Sequence, residues 1–292
     1  MTSPDTRADM FETHRPRLVR LAYRMVGTMP EAEDIVQDAW IRWERTESRD
    51  IRDAGAYLRR TVARLCLDHL KSARTRRETY FGSWLPEPIL DEGMNDDLRE
   101  DHLTLTLMLA LERLSPLERA AFLLHDVFDT PMPDIAEALG RDAAAIRQLA
   151  SRARKHVRDS RPRFPLEKTE GERIAKAFFD AAKSGDADAL RGLLSDAVIA
   201  RSDGGGRVAA FPNPVYGADR VTRLFEGIHR KFGGAETELI RLTTIDGLPG
   251  FISRDPEGVL QTVAFEIIDG RIVSIFITRN PDKMTVVARA LN

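Results

Sequence analysis

The sequence predicts a multidomain protein in which two all-α domains, the second with a helix-turn-helix, precede a C-terminal α+β domain. Up to about residue 158, apolar residues recur at the 3.6-residue spacing of helices. Beyond residue 168 the pattern changes to short helices and apolar runs, and Asp269-Gly270 joins two of these runs as a hairpin turn would. With 292 residues, of which 42% are apolar, the chain is long enough to bury two or three hydrophobic cores.

The first predicted domain consists of three or more packed helices between Met10 and about Ala73. Pro30 and Glu31 suit the start of the second helix, because proline is tolerated in the first turn and an acid stabilises the positive end of the helix dipole. Each helix carries an apolar stripe, which predicts a shared core. The stripes are Phe11, Leu18, Leu21, Ala22 and Met25; Ile35, Val36, Ala39, Trp40 and Trp43; and Leu58, Val62, Leu65 and His69.

A helix-turn-helix is predicted near the end of the helical region. The segment from Pro133 to Gly140 is typical of a short helix ended by Gly140, and Asp142 is placed to cap the helix that follows. That second helix has an apolar face and a basic face, so we expect it to enter a DNA major groove. The apolar face is Ile146, Leu149, Ala153 and Val157, and the polar face is Arg147, Gln148, Ser151, Arg154, Lys155 and Arg158.

Basic charge is concentrated in two stretches, although the net charge of the chain is only -2. Residues 59–77 contain seven Lys or Arg against one acid, and residues 141–163 contain eight against two. Such clusters can neutralise several phosphates, which predicts salt-dependent DNA binding. The alternative is a solvated surface face, the usual role of a charge run. The adjoining helix-turn-helix favours DNA.

Helical periodicity lapses between Tyr80 and Asp101, which predicts a linker. It starts with the apolar Trp84-Leu-Pro-Glu-Pro88 segment, which we expect to dock on the C-terminal domain. The linker contains seven acidic residues and a single basic residue, Arg99. Helical periodicity returns at Leu103 and continues to Arg158, with helix starts at Ser115-Pro116 and Pro131. The acids are Glu87, Asp91, Glu92, Asp96, Asp97, Glu100 and Asp101.

The C-terminal domain is expected to pack helices on a curved antiparallel sheet. The predicted helices cover residues 170–184, 187–194 and 217–231. The predicted strands cover residues 238–244, 259–268 and 271–278.

Several classes of protein are excluded by composition. The single cysteine, Cys66, rules out a disulfide framework and fits a reducing cytoplasm. No apolar run reaches the length of a membrane span, and the N-terminus has no signal-peptide core. The histidines show no metal-ligand spacing. We therefore expect a soluble cytoplasmic protein without a metal or other cofactor. The six histidines are His14, His69, His102, His125, His156 and His229.

Segments of both helical domains resemble extracytoplasmic-function sigma factors of bacterial RNA polymerase. Residues 31–40, Glu-Ala-Glu-Asp-Ile-Val-Gln-Asp-Ala-Trp, resemble the clamp-binding helix of that class, and residues 56–77 resemble its −10 helix. Residues 114–119, 134–140 and 146–154 resemble its −35 domain. The resemblance implies a chain that binds RNA polymerase core, through the clamp and flap of the large subunits, and directs initiation at promoter DNA.

Three further signatures resemble a subgroup with a fused C-terminal domain similar to the SnoaL or NTF2-like fold. They are Trp84-Leu-Pro-Glu-Pro88, Asp203-Gly-Gly-Gly-Arg207 and Asn280-Pro-Asp-Lys-Met284. The resemblance implies that this cone-shaped α+β domain regulates the sigma domains in cis. It divides the chain into a region 2 domain (7–76), an acidic linker (77–104), a region 4 domain (105–162) and a SnoaL/NTF2-like domain (168–292).

The resemblance also assigns roles to residues. Acids suit the basic polymerase clamp, while Trp40 and Trp43 either touch the clamp or pack inside the domain. Residues 49–53 are the candidate for a pocket that holds a flipped base. Most of the class has Asn where Arg64 stands, which implies a different −10 preference. The implied core-binding residues are Glu31, Glu33, Asp34 and Asp38; the implied −10 contacts are Arg60, Arg64, Lys71 and Arg74.

For the −35 duplex, Arg147 and Ser151 are the predicted base readers, and Lys155 and Arg158 the predicted phosphate partners. Gln148, Arg152 and Arg154 complete the expected DNA-binding set. The predicted interdomain residues are Trp84, Leu85, Pro86, Asp203, Gly204, Gly205, Gly206, Arg207, Asn280, Pro281, Asp282 and Lys283.

Alternatives remain open. The acidic linker either enters the polymerase channel as a mimic of a nucleic-acid backbone or is a solvated spacer. The C-terminal pocket could bind a small apolar ligand as a sensor, or retain enzymatic activity. Related enzymes need an acid as the base and donors such as Tyr for an oxyanion, and the domain offers few such residues. Tyr216 is its only tyrosine and His229 its only histidine. A repressor that binds DNA alone is a further alternative, which the clamp-type helix disfavours.

Overall fold

The protein is described by a computed structural model that covers residues 4–46, 51, 53–78, 80–91, 104–158, 167–232 and 237–291. These residues form two compact units. The first contains the described residues up to 78 and from 107 to 158. The second contains 80–91, 104–106 and the described residues from 167 onwards.

The described residues up to 78 and from 105 to 158 are mostly helical. The helices are α1 (Pro4–Val26), α2 (Met29–Arg45), α3 (Ala54–Glu78), α4 (Leu105–Glu112), α5 (Pro116–Phe122), α6 (Met132–Leu139) and α7 (Ala143–Arg158), with a π-helical turn at Leu123–Val127.

Helices α1, α2 and α3 pack around one core. The apolar stripes predicted for them are buried, except that Trp40 and His69 are half-buried. Trp43 is buried and its indole Nε1 donates to the carbonyl of Arg7 at 3.1 Å. Trp40 meets Phe11 edge-on with ring centroids 4.9 Å apart. Both tryptophans therefore contribute to the packing of the domain.

Capping residues set the boundaries of the later helices. Ser115 and Glu118 form a capping box at the start of α5, with Glu118 N donating to Ser115 Oγ at 3.3 Å and Ser115 N donating to the Glu118 carboxylate at 3.0 Å. Helix α6 ends at Gly140, whose φ of 61° is left-handed. Asp142 then accepts from Ala145 N at 2.7 Å and caps α7. The caps predicted at Ser115, Gly140 and Asp142 are confirmed.

The second unit joins helices to a six-stranded sheet. Its helices are α8 (Lys168–Ser184), α9 (Ala187–Leu193), α10 (Ala218–Phe232) and α11 (Thr285–Arg289), with a 3-10 turn at Pro281–Lys283. Its strands are β1 (Leu194–Asp203), β2 (Val215–Tyr216), β3 (Glu238–Ile245), β4 (Leu248–Arg254), β5 (Leu260–Ile268) and β6 (Arg271–Thr278).

The sheet is mixed, so the expectation of a purely antiparallel sheet is wrong. Its strand order is β2-β1-β6-β5-β4-β3, and β1 runs parallel to β6. The predicted hairpin between β5 and β6 is confirmed, because Asp269 and Gly270 both have positive φ, at 50° and 72°. Strands β1, β2 and β4 were not predicted. The fold class is as expected: two helical domains followed by an α+β domain.

The two faces of the sheet have different roles. Because side chains alternate along a strand, the row Ser202, Ile277, Val263 and Phe251 shares one face. The next row, Asp203, Thr278, Thr262 and Ile252, lies on the other face. The first face packs with α8 and α10 into a core centred on Phe178, Phe225 and Phe265.

Candidate functional site

Helix α7, which the sequence predicts to be the recognition helix, exposes one polar face. Ile146, Ala150, Ala153 and Val157 are buried, while Leu149, predicted as part of the apolar stripe, is only half-buried. The opposite side can therefore meet DNA without loss of packing. The exposed residues there are Arg147, Gln148, Ser151, Arg152, Arg154 and Lys155.

Arg154 differs from its neighbours on this face. Its Nε donates to the Asp126 carboxylate at 2.7 Å, so an acid of the same domain already holds it. Binding DNA through Arg154 would require an exchange of this partner. The side chain of Arg158 lies outside the described part of the protein.

Two of the four predicted −10 contacts on α3, Arg60 and Arg64, lie against the first helix of the helix-turn-helix, α6. Arg64 donates from Nε to the carbonyl of Ala138 at 2.8 Å and from Nη2 to the carbonyl of Glu137 at 2.7 Å. Arg60 pairs with the Glu137 carboxylate at 2.7 Å. These partners are the last carbonyls of α6, where the helix dipole favours a cation. The two arginines therefore bind protein where the resemblance implies that they bind DNA.

The other residues predicted near the −10 element are placed differently. Lys71 is exposed and pairs with Asp68 at 2.8 Å. The Arg74 side chain and residues 49, 50 and 52 of the proposed base pocket lie outside the described residues. Asp53 caps α3, accepting from Ala56 N at 3.0 Å.

Helix α2 carries the predicted polymerase-binding acids. Glu33, Asp34 and Asp38 are exposed on the side opposite the buried Ile35 and Val36. Glu31 is instead turned towards the domain: its carboxylate accepts from Thr28 Oγ1 at 2.7 Å and lies 3.2 Å from His69 Nε2. The available acidic surface is therefore made by three of the four predicted residues.

The three interdomain signatures meet around one carboxylate, that of Asp203, in the second unit. The side chain of Asp203 is fully buried. It accepts hydrogen bonds from Tyr80 Oη at 2.5 Å, Leu85 N at 2.9 Å and Gly205 N at 3.0 Å. Lys283 Nζ lies 2.8 Å from it and also donates to the Leu85 carbonyl at 2.5 Å. We call these residues the docking network.

Aromatic rings complete the surroundings of Lys283. Its Nζ lies 4.3 Å from the ring centroid of Trp84 and 5.0 Å from that of Tyr80, as in cation–π contacts. Burial, followed by the hydrogen bond to Asp203, raises the pKa of Tyr80 above its ordinary value, so the phenol stays protonated as a donor. The cation is thereby held by a carboxylate, a carbonyl and two rings.

The glycine-rich turn permits a close approach of residues 280–292, which we call the C-terminal tail. Gly205 and Gly206 have positive φ, at 61° and 71°. A Cβ on Gly205 would collide with the side chain of Asn280, which donates to Tyr80 Oη at 2.9 Å. An exposed ion pair of 2.9 Å between Arg207 and Asp282 flanks this contact.

A second group of contacts, which we call the turn anchor, holds the linker at the β3–β4 turn. Ile89 N donates to the Asp246 carboxylate at 3.1 Å, and Asp246 N donates to the Ile89 carbonyl at 2.9 Å. Leu105 N donates to the Asp246 carbonyl at 2.9 Å. Asp91 accepts from Gly247 N at 3.1 Å. Ile89 and Asp91 of the predicted linker, and Leu105 directly after it, thus bind the same turn.

The described residues bear on two other classes of site. Within them, no group of three or more His, Cys, Asp or Glu side chains could hold a metal ion. Nor does any described helix have the length and apolar character needed to cross a membrane.

Burial raises the pKa of the Cys66 thiol, which is therefore a protonated core residue.

Comparison with known proteins identifies both helical domains. The Sigma-70 region 2 family matches residues 10–76, and the Sigma-70 region 4 family matches residues 104–157. The ECF RNA polymerase sigma factor SigJ of Mycobacterium tuberculosis is 36% identical over 290 residues, covering 94% of this chain and 92% of SigJ. The probable ECF RNA polymerase sigma factor SigI of the same species is 35% identical over 292 residues, covering 97% of each protein. The chain belongs to the extracytoplasmic-function RNA polymerase sigma factors.

The likeness of this sigma factor to its relatives includes the C-terminal domain. The crystal structure of M. tuberculosis SigJ matches it with a TM-score of 0.77 at 34% identity, covering 96% of this sigma factor and 98% of the SigJ chain. This sigma factor therefore acts in promoter-directed transcription initiation, with the α+β domain as part of a shared architecture.

Three contacts of this sigma factor were not foreseen from its sequence. The first is the bond of Tyr80 to Asp203, because Tyr80 lies before the apolar linker signature. The second is the bond of Asp246 to Ile89, because a strand was predicted before this turn but none directly after it. Arg119 is buried and donates to the carbonyls of Leu111 at 3.0 Å and Met25 at 2.5 Å. The Asp246-Gly247 pair, a hairpin signal like Asp269-Gly270, could have marked this turn, and both of its residues have positive φ.

Proposed function

We propose that this sigma factor binds polymerase core through the exposed acids of α2 and contacts the −10 and −35 elements through α3 and α7. Glu33, Asp34 and Asp38 form the acidic surface that a basic clamp would require. The exposed polar face of α7 supports −35 recognition. Because these partners are polymerase and promoter DNA, we infer that the protein acts in the cytoplasm.

We further propose that the C-terminal domain restrains the sigma domains in cis. One observation carries this proposal: the ion pair between Lys283 and Asp203 is buried, and both of its residues bond the linker backbone at Leu85. Lys283 donates to the Leu85 carbonyl, and Asp203 accepts from Leu85 N. The linker joins the two DNA-binding domains, so its attachment limits how they can be arranged. The contacts of Arg60 and Arg64 with Glu137 and Ala138 support the same inference, because they use side chains expected to reach DNA.

The docking network is energetically sufficient for such a restraint. Removing one partner of a buried ion pair costs about 3–5 kcal/mol, since the other charge is left without compensation. A bias of that size shifts a two-state equilibrium by a factor of roughly 100 or more.

Replacing Lys283 by Met tests the restraint. We expect promoter output with core polymerase to rise several-fold, because the linker loses its buried cation and is released. Trp84→Ala, which removes a ring from the linker side and leaves the C-terminal core intact, should raise output in the same direction. Run-off transcription from a cognate promoter measures both.

Asp282→Asn is the matched control in the same tail. It removes only the exposed pair with Arg207, and surface pairs contribute about 0–1 kcal/mol, so output should stay near that of the unmodified protein. Unchanged output from both Lys283→Met and Trp84→Ala, in proteins that still bind core polymerase, would refute cis restraint.

A second candidate function is small-molecule sensing by the C-terminal domain. A cavity of about 530 Å³ lies on the sheet face opposite the linker, between the sheet and helices α8 and α10. Catalysis is less well supported: Tyr216 is exposed and is not among the described lining residues, and a ring nitrogen of His229 is 2.9 Å from the Lys183 carbonyl. We infer that the domain binds rather than transforms a ligand, and that the protein is not an enzyme.

A further inference from the structure

The body of this cavity is aromatic. Phe178 packs edge-on against Phe225 with centroids 4.9 Å apart, and Phe179 packs against Phe251 at 5.3 Å. All four rings line the cavity, whose volume falls within the range of about 300–1,000 Å³ typical of small-molecule pockets. Such walls favour an apolar occupant, because binding removes apolar surface from water.

The charges that line the cavity are mostly positive. Among the described lining residues there are four cations and one acid, Asp255; the cations are Lys183, Arg223, Lys231 and Arg279. That acid is already paired with Arg279. The two lysines lie in the last turns of α8 and α10. An occupant with a negative group is therefore favoured over a neutral or cationic one.

Hydrogen-bonding groups lie together at one end of the sheet. Ser253 is paired in register with Gln261, whose Nε2 donates to Ser253 Oγ at 3.0 Å. Thr262 of β5 is paired with Thr278 of β6. Because the two strands are antiparallel, Gln261, one residue before Thr262, lies opposite Arg279, one residue after Thr278. The side chains of Ser253, Gln261 and Arg279 thus form one row across β4, β5 and the residue that follows β6. The row is suited to a polar head group, while the phenylalanines are suited to a tail.

We propose that the cavity binds an apolar carboxylate, such as a medium-chain fatty acid. The hydrocarbon tail packs among Phe178, Phe225 and Phe251. The carboxylate lies near the Ser253, Gln261 and Arg279 row, within the field of Lys183 and Lys231.

Occupancy of the cavity is coupled to the linker, a step that rests on the cis restraint proposed above. Ser202 lines the cavity, and its neighbour Asp203 holds the linker on the opposite face of β1. Arg279 lines the cavity, and its neighbour Asn280 holds Tyr80. A carboxylate that binds the docked and released states with different affinity shifts the balance between them.

Titration calorimetry of the full-length protein with sodium decanoate tests the site, with decylammonium as the cationic analogue of equal tail length. We expect saturable binding of one decanoate and affinity at least about tenfold lower for decylammonium. The double variant Lys183→Glu/Lys231→Glu should weaken decanoate binding by about tenfold or more. Lys176→Glu/Arg230→Glu makes the same charge change on the same two helices away from the cavity and should bind normally.

Equal affinity for both amphiphiles, equal loss in both double variants, or absence of saturable binding would each overturn the inference. These outcomes concern binding alone, so they do not depend on whether Lys283→Met alters transcription. Run-off transcription with and without decanoate then tests the coupling. We expect a change in output. If Lys283→Met raises output but bound decanoate leaves it unchanged, the cis restraint stands and the coupling is refuted.

Discussion

The side chains expected to meet DNA are held in two different ways. Arg64 and Arg154 already have protein partners, the carbonyls at the end of α6 and the carboxylate of Asp126. Each must exchange these bonds for contacts to DNA, and a hydrogen bond is worth about 0.5–1.5 kcal/mol net. Arg147 and Lys155 are exposed on the same face of α7 as Arg154. Their substitution therefore reports on DNA recognition most directly.

Arg147→Ala and Lys155→Ala should have different effects on the −35 element. An arginine that reads a base edge contributes about 1–3 kcal/mol at one position, so its loss relaxes specificity there. A lysine that neutralises a phosphate acts on all sequences alike, and its loss lowers the salt slope by about one unit. Binding across a promoter library at several salt concentrations separates the two. Identical profiles for both variants would show that the assignment of the helix face is wrong.

At the scale of elements, helix α2 separates packing from binding. Ile35 and Val36 are buried, whereas Asp34 and Asp38 are exposed. The acids can consequently be changed with little effect on the fold, since surface substitutions usually alter stability by no more than about 0.5 kcal/mol. This separation makes α2 the element on which core binding can be tested cleanly.

Asp34→Lys/Asp38→Lys should abolish binding to polymerase core, because two attractive charges become repulsive towards a basic clamp. Gel filtration with core polymerase measures the complex, and circular dichroism checks the helix content. Asp9→Lys/Glu12→Lys makes the same charge change at exposed positions of α1 and should bind normally. Retained binding by the α2 variant would contradict the proposed role of the helix.

Elements with local signals were predictable, and those that depend on distant partners were not. Ser115, Asp142 and Asp269-Gly270 marked two helix starts and a hairpin, because caps and tight turns are fixed by short-range hydrogen bonds and φ angles. Strand β4 contains Pro249 and Gly250, which locally argue against a strand. Gly250 is required there since a Cβ would collide with the Val263 carbonyl of the neighbouring strand.

The same distinction applies to the candidate site. The three signatures could be found from the sequence, as could the tendency of Trp84 to dock. The parallel pairing of β1 with β6, which places Asp203 beside Thr278 and the tail, depends on long-range topology. The contact of Arg64 with the end of α6 depends in the same way on two domains meeting. Neither the pairing of β1 with β6 nor the contact of Arg64 can be predicted from the residues near it in the sequence.

At the scale of the whole molecule, the linker is attached at two separate places. The docking network holds it through Asp203 and Lys283, and the turn anchor holds Ile89 and Leu105 through Asp246. Only the docking network uses residues of the C-terminal tail. A short truncation can therefore release one attachment and leave the other in place, which separates restraint from positioning.

Removing residues 280–292 should raise promoter output, because the docking network loses Lys283 and Tyr80 loses its bond from Asn280, while the turn anchor still holds Ile89 and Leu105. Removing residues 168–292 should lower output below that of the short truncation, since the two DNA-binding domains are then joined by a free chain and their effective concentration falls. Asp246→Ala placed in the short truncation removes the side-chain bond of the turn anchor to Ile89 and strains a turn that needs a positive φ, so output should fall towards that of the long truncation. Run-off transcription at matched protein concentrations measures all three. If the short truncation, the long truncation and the full-length protein gave equal output, neither attachment would regulate the sigma domains.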